Sequence, residues 1–442
     1  MSTPGTSHPA EISRASMVVA ALSTVVEWYD FTLYLYFATV LSRVFFGGDS
    51  QSLLATLAGF AVSYAMRPLG AMVFGHIGDR LGRQRTLLLS MMLMTLAMLA
   101  TALLPDYAAI GPVAGGLLLV LRCFMAFSVG GEYTGVVAYL LEGARAERRG
   151  LITSLASAAS EVGALLAVVV AALTVGLMSE AQLAAWGWRI PFFIGAALAG
   201  SVWIARSTMQ ESPEFLRQQA QRTVPDSPLR HTLSHHRSAL LRTFAISALG
   251  SITYYVGITY VPAFLSGSGI VAEGRSLGLS TMAAVAVIVV TPLAGALSDR
   301  VGRKPVLIGL GVAAMLLPLS MFGLMAGGGG EGFIAIGAIV LACLAGGVSA
   351  VGAPATAEQF PGEGRLSGLA LGVTVATALF GGLTPFLAEL LVQRTGWVAV
   401  PGAMIAAVAL AVLPVLLTMP ETQPTRAQRR SARASLARDD GL

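Results

Sequence analysis

Six ionisable side chains stand inside stretches that are otherwise apolar: Glu27, Asp30, Arg67, Arg122, Glu132 and Glu161. An ionisable group surrounded by hydrocarbon is costly to keep, so each is a candidate for transport chemistry. Glu27 and Asp30, three residues apart, share one face of a helix. Two carboxylates in poorly hydrated surroundings cannot both ionise cheaply, and one that keeps its proton suits proton loading and release. Permanent pairing with Arg67 or Arg122 is the structural alternative. The Arg122 guanidinium stays charged and offers forked donors, so it can hold a substrate carboxylate or neutralise a protein carboxylate between turnovers. Glu132 lies ten residues further on, about 15 Å along a helix. The two therefore cannot grip the same small group, and Glu132 suits a proton path or a partner on a neighbouring helix. Glu161, in Ser157-Ala-Ala-Ser160-Glu161, is placed to favour a substrate with a cationic end. Arg67, before Pro68, reads as structural. Four acids against two bases leave at least one acid neutral or only transiently paired. Trp28, Tyr29, Tyr34, Tyr254, Tyr255 and Phe380 fall near mid-span. Their faces would attract a quaternary ammonium group, and helix packing is the plainer use of the same rings.

The elements that position these groups follow from composition. Of 442 residues, 55% are hydrophobic and 12% are charged, roughly half the charged share of an ordinary soluble domain. Mean hydropathy is +0.75. Lipid is therefore the solvent for most of the surface, and the fold class is an all-α integral membrane protein. Crossing about 30 Å of hydrocarbon takes roughly 20 apolar residues, and twelve segments qualify: 15–40, 53–75, 85–104, 111–140, 151–176, 188–206, 241–265, 277–297, 305–325, 332–355, 366–392 and 398–419. Residues 1–11 are polar, with neither a basic start nor a small-residue cleavage site, so the first apolar segment is expected to remain in the membrane. With both termini inside, the outer loops hold only Arg43, Arg189, Arg275 and Arg394, while nearly all other basic residues crowd the inner loops and tails. That bias predicts cytoplasmic termini and explains the net charge of +5 without a nucleic-acid partner. Cys123 and Cys343 sit in apolar runs and read as small core residues, not as a disulfide or metal framework.

The chain divides into a six-helix bundle over 1–207, a cytoplasmic linker over 208–238, a second six-helix bundle over 239–420 and a basic tail over 421–442. The linker holds His231, His235 and His236, for which a solvated loop is the plain reading and metal binding the sharper one. The tail shows no heptads. An internal repeat supports the division. Gly75-His-Ile-Gly78-Asp79-Arg80-Leu-Gly82-Arg83 joins spans two and three, and Gly295-Ala-Leu-Ser298-Asp299-Arg300-Val-Gly302-Arg303 joins spans eight and nine, 220 residues later. Two copies in register indicate parallel six-helix repeats. Their glycines permit a tight turn, and their Asp and Arg residues can close one conformation and release it in another. Asp79, Arg80, Arg83, Asp299, Arg300 and Arg303 are thus candidate gating groups, beyond mere anchoring by positive charge.

These loops resemble the signature of the major facilitator superfamily. Glu27-Trp-Tyr-Asp30-Phe, Arg67-Pro-Leu-Gly70, Phe127-Ser-Val-Gly-Gly-Glu132-Tyr-Thr-Gly135, Trp186-Gly-Trp-Arg189-Ile-Pro-Phe-Phe193, Glu211-Ser-Pro-Glu-Phe215 and Phe380-Gly-Gly-Leu-Thr-Pro385 resemble its metabolite:proton symporter family over nearly the whole chain. Thr253-Tyr254-Tyr255 and Thr259-Tyr260-Val-Pro262 look most like the bacterial proline and betaine osmolyte transporters. Glu142 and Arg149, with Arg145 and Glu421, resemble the family's cytoplasmic charge network. The chain departs from the family at Ser23-Thr24, where Gly-Asn is usual, at Met125-Ala126 and at Thr374; it contains no Asn at all. The resemblance implies a monomeric carrier of the bacterial inner membrane working by alternating access, with protons as coupling ion and no cofactor. Its site would be lined by spans one, four, five, seven and eleven. The expected substrate is a zwitterionic osmolyte such as proline or glycine betaine. A di- or tricarboxylate would want more cationic groups than Arg122 and Arg67. A proton-driven drug exporter would want a more apolar interior. No nucleophile–base pair, metal-ligand spacing or phosphate loop marks an enzyme.

Overall fold

A computed structural model describes residues 12–47, 52–224, 227–267, 273–327 and 330–423. The polar leader 1–11 and the basic tail from 424 onward lie outside the described residues. Among those described, every element is helical.

Twelve apolar segments run in chain order. They are α1 (Arg14–Tyr36), α2 (Ser52–Tyr64 and Met66–Leu81), α3 (Arg83–Ala102), α4 (Val113–Val129 and Glu132–Gly143), α5 (Arg149–Leu177) and α6 (Arg189–Ser207). After the linker come α7 (Arg237–Tyr254, then Tyr255–Thr259 and Val261–Gly267), α8 (Glu273–Val301), α9 (Arg303–Ala326), α10 (Glu331–Ala357), α11 (Arg365–Thr377, Ala378–Gly382 and Thr384–Thr395) and α12 (Val400–Thr418). Eleven are long and apolar enough to cross a membrane. The expected span two differs, being two shorter helices that part at Ala65. Pro68 has no N–H to give to the carbonyl four residues back, so the ladder fails there. Several helices also run past their expected ends, α2 to Leu81 and α8 to Val301. The linker is not mere loop, since short helices form over Pro213–Gln221 and Pro228–His235, each with proline in its first turn.

Two compact units emerge from the contacts. The first comprises Met1–Gly143, Ala167–Arg237 and Phe360–Ala370; the second comprises Ala144–Leu166, Ser238–Gln359 and Leu371–Leu442. Within the first, α3 packs along α6, and α4 lies against α2 and α3. Within the second, α9 packs along α12, and α10 lies against α8 and α9. Each partnership recurs six helices later, as the repeated loops require. The outward surface carries large apolar side chains such as Phe124, Leu177, Leu293 and Phe386. That distribution fits lipid as the surrounding solvent.

In the first unit, α2 and α4 meet backbone to backbone. A Cβ at Gly70 would collide with the Phe127 carbonyl, and one at Gly130 would collide with the Arg67 carbonyl and lie 2.7 Å from the Ala71 nitrogen. The colliding atoms are backbone ones, which cannot turn aside as a flexible side chain can, so only glycine fits this crossing. Gly116, on the same α4, has nothing within 4 Å of an added Cβ. Gly130→Val is therefore expected to cost about 3 kcal/mol or more through overpacking, with a sharp fall in the heat stability of detergent-purified protein. Gly116→Ala, measured in the same melting assay, is expected to match the parent.

Candidate functional site

In the first unit Glu27, Asp30 and Glu132 each meet an arginine of their own. Asp30 Oδ2 accepts from Arg122 Nη1 at 2.6 Å, both side chains being almost wholly buried. The Arg122 guanidinium also lies 4.4 Å from the centre of the Tyr34 ring. Three residues earlier on α1, Glu27 Oε1 lies 3.5 Å from Arg67 Nη1, and Arg67 itself stacks near Phe31 and Tyr64. Glu27 Oε2 is buried and has no hydrogen-bond partner among the described residues. Glu132 pairs with Arg206 and accepts the Ser90 hydroxyl at 2.6 Å. Arg206 also donates to Ser23 and to the Leu87 carbonyl. Tight contacts of this kind are the condition for keeping charge out of water.

Arg206 was not expected among these groups. At the end of α6 it reads as one more positive charge of an inner loop, yet it is fully buried. Its presence changes the charge balance, since Glu132 now has a permanent partner. Glu27 and Asp30, expected to share one environment on one face, instead turn to separate guanidiniums. Tyr29 is fully buried and donates its hydroxyl to the Pro191 carbonyl at 2.8 Å, which ties α1 to α6. Trp28 packs against Phe31, with ring centres 5.4 Å apart.

The second unit gathers Glu161, Tyr254, Tyr255 and Phe380. Glu161 is 3% exposed and accepts from the Tyr254 hydroxyl at 2.6 Å. No ion pair to it occurs among the described residues. Tyr254 closes the regular part of α7, and a wider turn of π type follows over Tyr255–Thr259. A matching π turn in α11 covers Ala378–Gly382. The Tyr255 ring lies against Gly381, where an added Cβ would come within 2.8 Å of it, and its centre is 5.6 Å from that of Tyr254. Phe380 meets Phe244 edge to face. Such turns insert one residue, re-aim the side chains beside them and are frequent at functional positions.

The repeated loops build the same device twice. Asp79 accepts from the backbone N–H groups of Leu366 and Ser367, at 3.2 and 2.8 Å, in the first turn of α11. Asp299 accepts from those of Gly150 and Leu151, both at 2.8 Å, in the first turn of α5. Helix starts present unpaired N–H groups and partial positive charge, so a carboxylate there is well satisfied. Arg83 grips Glu142 with two donors at 3.2 Å and donates to the Gly362 carbonyl at 3.0 Å. Arg303 grips Glu358 with two donors at 3.3 Å and Asp299 at 2.8 Å. Arg365 adds a bond to Glu142 at 2.7 Å. Glu211 caps the start of α3 and Glu421 that of α9, through the N–H groups of Arg83 and Arg303, each at 2.9 Å. Burial raises the Glu211 carboxyl above its ordinary range, against the pull of the Ser212, Gln84 and Arg83 N–H groups. Gly82 and Gly302 adopt φ of 109° and 116°, and a Cβ at either would meet the capping Glu211 or Glu421. Arg80 and Arg300 are exposed and make no bond or ion pair among the described residues. Arg149 sits at the start of α5, half-buried, its carbonyl accepting from Thr153.

Glu358, Arg365 and Arg206 are working members that the sequence reading passed over. The i, i+4 spacing of Asp79 with Arg83, and of Asp299 with Arg303, could have separated those pairs from Arg80 and Arg300. His231 and His235 stack with ring centres 4.6 Å apart, and His236 lies 5.5 Å from His231. Burial and then these two neighbours lower the ionisation of His236. The described residues hold no group of three or more side chains suited to a metal ion.

Comparisons with known proteins agree with this fold. A family model described as Sugar (and other) transporter matches residues 16–227, and one described as Major Facilitator Superfamily matches residues 272–439. A glycine betaine/proline/ectoine/pipecolic acid transporter of Dickeya dadantii is 32% identical, covering 92% of this chain and 83% of that protein. An alpha-ketoglutarate permease of Escherichia coli is also 32% identical, over 84% of this chain and 86% of its own. A citrate-proton symporter of Salmonella typhi is 31% identical, over 89% and 92%. Among solved structures, a proton:xylose symporter, XylE of E. coli, superposes with a TM-score of 0.75 at 19% identity, covering 92% of this chain and 96% of that one. At that identity the likeness bears on the fold alone.

The Glu132–Arg206 pair carries a test of its own. Removing one member leaves the other charged and buried, at a cost of about 3–5 kcal/mol. Arg206→Met is therefore expected to unfold far below the parent temperature. The double variant Arg206→Met/Glu132→Leu is expected to recover most of that loss, as read by thermal unfolding in detergent. Additive losses would show that the pair is not coupled.

Proposed function

This chain belongs to the major facilitator superfamily, and from that premise we propose that it takes up a zwitterionic osmolyte together with protons by alternating access. The observation that carries the reading is the buried Asp30–Arg122 pair at 2.6 Å. An ionised Asp30 occupies the guanidinium. A proton on Asp30 removes the negative charge and frees a forked cation for the carboxylate of a substrate. Proton and substrate then bind together, which is the requirement of symport. Relatives named for proline and betaine, and a relative named for citrate that is a proton symporter, support both the coupling and a carboxylate-bearing cargo. The zwitterion is preferred over a di- or tricarboxylate because each interior guanidinium already faces one carboxylate, Arg67 with Glu27, Arg122 with Asp30 and Arg206 with Glu132. One proton on Asp30 then frees one cation, enough for one substrate carboxylate.

The two Asp clamps serve as gates in this reading. Segment 360–370 groups with the first unit and segment 144–166 with the second, and these are the helix starts that Asp79 and Asp299 hold. Breaking the clamps frees both segments for the alternate state. The termini and the arginine-rich loops face the cytoplasm, the bundle divides at the 208–238 linker, and the carrier acts as a monomer.

The test is uptake of radiolabelled proline and glycine betaine into proteoliposomes under an imposed inward proton gradient. The parent is expected to accumulate at least one of them, and Asp30→Asn to fall to the level seen without a gradient. Accumulation of citrate or ketoglutarate in their place would overturn the substrate class. Osmolyte uptake indifferent to the gradient would overturn the coupling.

A further inference from the structure

Among the acids buried inside the spans, Glu161 is the odd one. Glu27, Asp30 and Glu132 each face an arginine. Glu161 is as deeply buried as they are, yet its single bond among the described residues is the one donated by Tyr254. A phenol donor satisfies one lone pair and leaves the negative charge uncompensated. In a poorly hydrated setting that charge must be cancelled by a cation that the protein does not itself provide, or by a proton.

The surroundings distinguish a cation of a particular kind. Tyr254 and Tyr255 meet edge to face with centres 5.6 Å apart. Tyr255 is held in place by Gly381, in the π turn that also carries Phe380. The π turn of α7 begins at the residue after Tyr254, and that of α11 meets the Tyr255 ring through Gly381, so both re-aim rings next to the tyrosine that holds the acid. Aromatic faces next to a carboxylate attract a weakly hydrated ammonium more strongly than either group alone.

We infer that Glu161, positioned by Tyr254, receives the quaternary or secondary ammonium end of the transported zwitterion and so determines selection against purely anionic substrates. The inference rests on the zwitterion reading given above for the class of substrate, and it concerns the second unit alone. It also supplies a reason for discrimination. A carboxylate without a counter-ion repels a di- or tricarboxylate, so relatives that move such substrates should not need an acid here.

Equilibrium binding to the detergent-purified protein tests it, using two probes of nearly identical shape: glycine betaine, and tert-butylacetate, in which carbon replaces the charged nitrogen. The parent is expected to bind glycine betaine at least about tenfold more tightly, and Glu161→Gln to lose that preference, as the loss of one charge-assisted contact implies. Glu161→Asp is expected to keep part of it, and Tyr254→Phe to weaken it less than Glu161→Gln, with melting curves confirming that each variant is folded. Transport kinetics supply the second readout: Glu161→Gln should raise KM for glycine betaine with a smaller change in kcat. Equal preference in parent and Glu161→Gln would overturn the inference. So would an unchanged KM with loss of gradient-driven accumulation, which would make Glu161 a proton carrier instead. Cation-selective binding that depends on Glu161, in a protein that shows no proton-driven uptake, would uphold this site and sink the coupling reading alone.

Discussion

Keeping a charge inside a bilayer is the constraint from which most of this structure follows. An ionised side chain removed from water loses solvation that only a close opposite charge, with matched hydrogen bonds, can replace. That requirement decides which helices must be neighbours. Glu132 on α4 needs Arg206 on α6, which also ties in Ser23 of α1 and Leu87 of α3. One buried guanidinium therefore binds four helices of the first unit. The glycines do the complementary work, since Gly70 and Gly130 let α2 and α4 approach closely enough for Arg67, at their crossing, to reach Glu27 on α1. Apolar packing alone would not fix these choices, because lipid tails are as apolar as leucine.

The same constraint shapes the arginine-rich ends, where the unsatisfied groups are backbone ones. The first turn of a helix carries free N–H groups and partial positive charge. Carboxylates meet that demand at four starts: Asp79 at α11, Asp299 at α5, Glu211 at α3 and Glu421 at α9. Capping is weaker than a buried ion pair and leaves both partners able to hydrate when parted. Asp79 and Asp299 are buried beside Arg83 and Arg303, so each carboxylate is met by a guanidinium as well as by a helix start.

Much of this was legible in the sequence because the physics concerned is local. Hydropathy over roughly 20 residues marks a span whatever surrounds it, and the duplicated Asp–Arg loops mark the repeat. The break of span two at Ala65 was not read, because it follows from the N–H that Pro68 lacks and not from any loss of apolar character. Partner choice was not legible. Arg206 and Arg217 look alike on paper, and burial of the first depends on Glu132 lying across from it, 74 residues away in the chain. Tyr29 sits among expected cavity aromatics, but its hydroxyl finds the Pro191 carbonyl of another helix. Arg80 and Arg300 are exposed while Asp79 and Asp299, one position away, are buried, a distinction set by the angle between neighbouring positions on a helix.

The repeat is kept where both halves need the same service and lost where the chemistry is needed once. The capping acids and gripping arginines recur as Asp79 and Asp299, Arg83 and Arg303, Glu142 and Glu358, Glu211 and Glu421. The interior charges do not recur. Residues 216 to 220 positions beyond Arg122 and Glu132 run Ala338–Ala342 and Val348–Gly352, without a charge among them. In the second half α7 carries none beyond Arg237 and Arg242 in its first two turns, and α10 none beyond Glu331. Glu161, on α5, comes from the first half of the sequence yet packs within the second unit, so that unit acquires a mid-span carboxylate that its own half does not encode. An arginine facing it from α7 or α10 would pair with Glu161 as Arg122 pairs with Asp30. No ion pair to Glu161 occurs among the described residues, its one bond being from Tyr254, and that is the condition for the cation recognition proposed above.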